Sequence, residues 1–323
     1  MKYYLAPMEG ITGYIYRNSY EKFFNNVDKY FTPFIVPNKS TSLKTKELRD
    51  ILPENNKGMN VVPQLLTNDS EAFIITARKL QQLGYNEINL NLGCPAGTVV
   101  SKNRGSGFLA KREELDIFLD EIFKIDDMKI SIKTRIGKDS PEEFYELIKI
   151  YNKYPIEELI IHPRTQKDFY GNKPDLDVFK DALSLSSNPI CYNGDIFSVS
   201  DYNRLIKTFT KVKTIMLGRG ILANPGLINE MKNNTTIDKE VLKEFHDEIL
   251  NKYIELYNED RNALFKMKEL WGYMIYIFSN NKKYAKKIKK AQKLNCYNAA
   301  VLSLFREQEI IKEVGLFSNN IKI

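Results

Sequence analysis

The sequence predicts an α/β chain: a (β/α)8 TIM barrel over residues 1–232, followed by an all-helical domain over residues 238–323. Three observations lead there. Eight short apolar or β-branched runs alternate with helix-like stretches over roughly 230 residues, the size of such a barrel. Seven of the eight runs end in a polar or otherwise unusual residue, where a barrel gathers its chemistry. Beyond residue 232 the strand-like runs stop and helical periodicity takes over. A doubly wound open sheet is the runner-up; it does not collect all strand ends on one rim.

The predicted strands are YYLA (3–6), YFTPFIV (30–36), VVPQLL (61–66), EINLN (87–91), KISIKT (129–134), ELIIH (158–162), PICYN (189–193) and TIMLG (214–218). Helices at 71–84, 112–124 and 141–154 place apolar residues at i, i+3 and i+4. Gly84 closes the first of these helices, and Ser140 caps the third ahead of Pro141. The polar stretch 231–240 reads as a linker, with Thr236 to Asp238 placed to cap the next helix. Four amphipathic stretches after it predict a helical bundle.

With 43% hydrophobic residues the chain can bury a full core. Its three cysteines have no paired spacing, which argues against a disulfide framework and for a reducing compartment. No Cys/His cluster suggests a metal. There is no signal-peptide pattern and no membrane-length apolar run. The expectation is a cytoplasmic monomer with no metal and no membrane partner. The net charge of +7 is concentrated in KKYAKKIKKAQK, residues 282–293. That run holds Lys282, Lys283, Lys286, Lys287, Lys289, Lys290 and Lys293, and no acid. Tyr284, Ile288, Ala291 and Leu294 form its apolar stripe. A charge run is ordinarily a solvated face, but solvated faces mix signs; a one-sign helix suits phosphates. A membrane surface is the competitor, and the stripe is too small and too poor in aromatic anchors for it.

Candidate chemistry sits at the strand ends. Cys94, in LGCPAG, lies in a loop beyond the fourth strand, where either a turn residue or a reacting group would stand. Its position favours the second, whereas Cys191 and Cys296 read as buried structural cysteines. His162 ends ELIIH and is read as functional by that position; His246, on an amphipathic helix, is read as structural. Lys133 alternates with apolar neighbours and needs a partner or water, because a buried ammonium is costly. Arg135 is two residues on and shares its face. YNGDIFS and MLGRGILANPGLI each follow a strand and precede a helix, so Gly194 and Gly218, with Arg219, suggest a phosphate site at adjacent helix N-termini. Two ordinary βα turns are the alternative.

Together APMEGIT, NLNLGCPAGTV, KTRIG, IHPRTQKDFYGNKPD, YNGDI and MLGRGILANPGLI, in that order, resemble the tRNA-dihydrouridine synthase family over nearly all of the first 230 residues. The helical tail is similar to that family's RNA-binding domain in kind more than in sequence. The resemblance implies FMN at the barrel mouth, NADPH as reductant and tRNA as substrate. It places Pro7 and Met8 against the isoalloxazine, Gln64 on its pyrimidine edge and Lys133 near N1 and O2. His162, Asn193, Gly194, Asp195, Gly218 and Arg219 would hold the ribityl-phosphate end. Asn91, Arg135, Arg164 and Tyr170 match positions that meet the uracil. Hydride would pass from flavin N5 to C6, and Cys94 would give the proton to C5. The basic helix would hold the tRNA body.

The loop AGTVVSKNRGSGFLA departs from a single family pattern. APMEG resembles the branch acting on U16, with U17, U20 and U20a left open. Two rivals remain. An FMN barrel acting on a small pyrimidine, like a dihydroorotate or dihydropyrimidine dehydrogenase, would not need the lysine helix. A non-catalytic RNA-binding protein would not need Cys94, Lys133 and His162 together.

Overall fold

The computed structural model describes residues 1–39 and 43–314; the last part of the expected helical domain, 315–323, lies outside the described residues. Nine parallel strands form one sheet: β1 (Lys2–Leu5), β2 (Lys29–Phe31), β3 (Val61–Val62), β4 (Gln64–Leu65), β5 (Glu87–Leu92), β6 (Lys129–Gly137), β7 (Leu159–Thr165), β8 (Ile190–Tyr192) and β9 (Thr214–Leu217). Their order is β3-β2-β1-β9-β8-β7-β6-β5-β4. The two ends of that order, β3 and β4, are halves of one strand interrupted at Pro63, which has no N–H to donate to the ladder. The sheet therefore closes on itself as an eight-stranded barrel, and every predicted strand is present. YFTPFIV is strand only through Phe31; Pro33 breaks it, and Ile35 rejoins the sheet as a single bridge to Leu65.

The helices follow the signals predicted at Gly84, Ser140 and Asp238. Asp69 caps Ser70–Gln82, and Gly84 takes φ +93° just past its end. Ser140 and Glu143 form a reciprocal capping box over a 3-10 turn at Pro141–Glu143, which leads into the helix Phe144–Tyr151. Asp238 caps the helix Lys239–Tyr257 through the amides of Glu240 and Val241.

The chain forms two compact units. The first comprises Met1–Pro7, Asp28–Gly194 and Phe209–Met216; the second comprises Met8–Val27, Asp195–Thr208 and Leu217–Ile323. The barrel interior in the first unit is divided. Tyr4, Ala6, Phe31, Val62, Ile160, Cys191 and Met216 pack as one apolar cluster. The sector of β4, β5 and β6 is polar instead. Alternation along β5 sends Ile88, Leu90 and Leu92 to the other face, leaving Glu87, Asn89 and Asn91 together. At the N-terminal end of the barrel Lys29 Nζ meets Glu87 Oε2 at 2.7 Å, both nearly buried, and lies over the Tyr4 ring.

In the second unit, Tyr16, Tyr20 and Phe24 repeat at helical spacing on Tyr14–Phe24 and pack around Phe245. A buried polar chain crosses its helices: Trp271 Nε1 donates to Tyr297 Oη (2.7 Å), which donates to His246 Nε2 (2.7 Å), while His246 Nδ1 donates to Asp247 (2.8 Å). His246 is thus structural, as its position predicts. The lysine run is helical only over Lys282–Lys290, so its apolar stripe reduces to Tyr284 and Ile288; Ala291 caps that helix and Leu294 opens the next. All seven lysines are exposed, and among the described residues only Lys283 has an acidic partner, Glu307 at 3.5 Å. Cys296 corrects the sequence reading. It is exposed, because Tyr297, Ala300, Val301 and Leu304 form the buried face of its helix. Among the described residues no helix is long and apolar enough to cross a membrane, and no group of three or more His, Cys, Asp or Glu side chains is placed to hold a metal ion.

Candidate active site

The register of the parallel strands brings the predicted residues of the first unit to one end of the barrel. Gln64 pairs with Asn89, Asn91 with Lys133, and Arg135 with His162. An amide ladder joins the polar sector. Asn91 Nδ2 donates to Gln64 Oε1 (2.7 Å), Gln64 Nε2 to Asn89 Oδ1 (2.8 Å), Asn89 Nδ2 to Ser131 Oγ (3.0 Å), and Ser131 to Glu87 (2.8 Å). The ladder fixes the orientation of Gln64 and leaves one hydrogen of its Nε2 uncommitted. Of these residues the sequence reading singled out Gln64 and Asn91 alone. Glu87 and Asn89 share the face of Asn91, and the i, i+2, i+4 run of polar residues in EINLNL was the available signal.

Cys94 is half-buried just past the end of β5. Asn91 Oδ1 accepts the amides of both Gly93 and Cys94, each at 3.0 Å. The Cys94 carbonyl accepts the amide of Ser106 at 3.1 Å and its hydroxyl at 2.8 Å. Arg135 is buried, and its guanidinium donates to Gly93 O (2.9 Å) and Thr165 O (2.8 Å), tying the cysteine loop to the end of β7. Lys133 has no acidic partner among the described residues. Burial, helped by the positive charge of Arg135, pulls its amine down to about 8. Lys133 and Arg135 both lie within electrostatic reach of the Cys94 sulfur.

His162 is nearly buried within β7, further inside the strand than its end. Arg164 Nη1 is 3.0 Å from its Nε2. A guanidinium only donates, so His162 accepts there as a neutral ring with its hydrogen on Nδ1. Arg164 also donates to Asn172 O at 2.6 Å. Like Arg135, it is buried. Tyr170 is half-buried, 5.9 Å from the His162 ring and 5.5 Å from the Arg135 guanidinium. Its loop is held by Asp168, which accepts from the amide and hydroxyl of Thr165.

The glycine-rich turns divide between the units. Asn193 Nδ2 donates to Met216 O at 2.8 Å. At Gly194 an added Cβ would fall 2.0 Å from Tyr192 Oη, so a neighbouring tyrosine already requires glycine there. In the second unit Arg219 Nη2 meets Asp195 Oδ1 at 2.5 Å and lies over the Phe197 ring. The acid aims the arginine, a role its sequence position alone did not reveal. Gly218 caps the short helix Arg219–Ala223. Pro7 and Met8, both half-buried, follow β1, and Met8 opens a turn closed by Ile11, Thr12 and the Thr12 hydroxyl.

Comparison with solved structures supports the fold. A mutant of morphinone reductase in complex with tetrahydroNAD superposes with a TM-score of 0.51 at 9% identity, covering 74% of this chain and 89% of that one. The old yellow enzyme from Trypanosoma cruzi gives 0.51 at 10% identity, covering 73% and 89%. Among curated relatives, the tRNA-dihydrouridine(16) synthase of Vibrio vulnificus is 29% identical over 246 residues, 72% of this chain and 76% of that protein. That of Pseudomonas putida is 30% identical over 236 residues, 70% and 72%. A probable tRNA-dihydrouridine synthase of Helicobacter pylori is 28% identical over 277 residues, 84% and 82%. The family model for dihydrouridine synthase (Dus) matches residues 4–317. With a closed barrel and a cysteine held at its rim, this chain belongs to the tRNA-dihydrouridine synthase family of oxidoreductase enzymes.

Proposed function

We propose that this chain reduces the C5=C6 bond of a D-loop uridine in tRNA, using FMN as cofactor and NADPH as reductant, with Cys94 as the proton donor. The observation that carries this reading is the half-exposed thiol of Cys94 within electrostatic reach of Lys133 and Arg135.

The donor set suits a flavin. Among the described residues Lys133 is a cation without a carboxylate, and Gln64 has one amide hydrogen to give; a ring rich in carbonyl and imine acceptors answers both. Gln64, Lys133, Pro7 and Met8 would hold the ring. His162, Asn193, Gly194, Gly218 and Arg219 would hold the ribityl-phosphate end, with Asp195 orienting Arg219. When bound, FMN supplies the hydride that adds at C6.

Everything else falls to the chain. A thiol placed at hydrogen-bond reach of a developing carbanion can serve as its general acid. Cys94 donates its proton to C5, where negative charge gathers once C6 is saturated. The positive charges of Lys133 and Arg135 favour the thiolate left behind. Asn91, Arg135, Arg164 and Tyr170 orient the uracil. The target base must leave its stack to reach the rim, at a few kcal/mol of lost stacking. The helical domain at 238–323, through its exposed lysines, holds the tRNA body by its phosphates. APMEG and the names of the Vibrio vulnificus and Pseudomonas putida relatives support position 16 as the target.

Dihydrouridine content of tRNA from a strain lacking this gene tests the reading. Wild type restores one dihydrouridine and Cys94→Ala does not; unchanged content in the deletion strain refutes it.

A further inference from the structure

We propose that Ser106, with Gly105 before it, is a positioning element for Cys94; the inference rests on the reading of Cys94 as proton donor. The sequence RGSGFL carries no recognisable motif, and the mechanism above makes no use of it. The structure gives it a purpose.

After Cys94 the chain runs through Pro95 into the short helix Gly97–Val100, turns at Asn103 in the left-handed region (φ +52°), and returns. On its return Ser106, fully buried, closes on the Cys94 carbonyl with both its amide (3.1 Å) and its hydroxyl (2.8 Å). Gly105 allows this approach. Its φ is +55°, and an added Cβ would fall 2.8 Å from Cys94 O and 3.1 Å from Cys94 Cβ. On the other side Asn91 Oδ1 holds the Cys94 amide at 3.0 Å. Next in the chain, Pro95 has its own φ fixed by its ring.

The N–H and C=O of Cys94 are therefore both anchored. The side-chain torsion χ1 alone remains to decide where the sulfur stands. A proton donor must stay within hydrogen-bond reach of the carbon it serves. A residue on an open loop does so only if its backbone is held, and Ser106 is the group that holds the carbonyl end. The serine touches neither substrate nor cofactor in this account. It acts through Cys94.

The test compares Ser106→Ala and Gly105→Ala in the full-length, FMN-loaded protein, each in a Cys296→Ser background. The remaining cysteine besides Cys94 is Cys191, fully buried, so iodoacetamide reports on Cys94. The expected result has opposite signs in two readouts. Alkylation of Cys94 becomes several-fold faster, because the loop no longer holds the thiol. The rate of dihydrouridine formation at saturating tRNA falls about tenfold or more, as a misplaced catalytic group predicts, with KM for tRNA and flavin content unchanged. If Ser106→Ala yields no folded protein, Gly105→Ala reads the same contact from its other side. Wild-type alkylation and turnover in both variants would overturn the proposal. So would a parallel loss of flavin, melting temperature and activity, which would make Ser106 a structural residue only. Cys94→Ala, run alongside, separates the two ideas. If it still forms dihydrouridine at the wild-type rate the proton-donor reading falls, and the alkylation rates alone still decide whether Ser106 places the thiol.

Discussion

Among the described residues no carboxylate neutralises the charge of Lys133. Burial, with the charge of Arg135, lowers its amine from 10.5 to about 8. The unfolded chain keeps that proton up to about 10.5, so the folded state is penalised below about 8, and the penalty fades as pH rises from there towards 10.5. The difference corresponds to about 3 kcal/mol at neutral pH. Lys133→Met is therefore expected to raise the melting temperature of the flavin-free protein at neutral pH and to weaken flavin binding at least tenfold. A thermal melt and a flavin titration check the two halves separately. Lower stability in the variant would mean that Lys133 has found a partner within the chain. At the same scale, sequence position marked Cys94, Lys133 and His162 because each departs from what a packed strand end requires. It could not mark Ser106, whose role depends on a loop coming back to Cys94, nor the commitment of Arg164 to His162, which lies two residues away on the same strand but is visible only as geometry.

Elements carry their own tests. The Lys29–Glu87 pair joins β2 to β5 inside the barrel at 2.7 Å. Lys29→Met would leave Glu87 charged and buried, at a cost of about 3–5 kcal/mol, measurable by denaturant unfolding. In the helical unit, burial holds the His246 imidazole below its usual range despite Asp247. The unfolded chain takes up a proton at higher pH than the folded one does. Stability is thus fully present above about 6.5 and is lost as pH falls below it. Replacing His246 with Asn should flatten that acid limb in pH-dependent melting; an unchanged slope would point to other titrating groups. The lysine helix is tested by charge. The triple change Lys286→Glu, Lys289→Glu and Lys290→Glu should weaken tRNA binding at least tenfold at low salt and reduce its salt dependence, while flavin binding stays intact. Equal affinity would show that the run is a solvated face. Helix caps at Ser140 and Asp238 were legible because capping is local chemistry. The end of the lysine helix at Lys290 was not, since no glycine or proline announces it.

At the scale of the molecule, alternating strands and helices announced the barrel, and the strand order shows how it closes: Pro63 splits one strand into the two ends of the sheet. What the pattern could not show was the division of the barrel interior. Glu87, Asn89 and Asn91 are visibly co-facial in the sequence, yet their partners Gln64 and Ser131 come from other strands, and only the register joins them into the amide ladder beneath Cys94. That ladder, the arginine clamp of Arg135 and the return of Ser106 together hold a thiol at the mouth of a barrel whose family acts on tRNA. The central claim is that this thiol protonates a uracil carbon. Mass spectrometry of unmodified tRNA incubated with the purified protein, FMN and NADPH tests it most directly. The account predicts the mass of two added hydrogens on a single D-loop uridine with wild type, and its loss with Cys94→Ala. Equal conversion by Cys94→Ala, or no conversion by wild type, would contradict it.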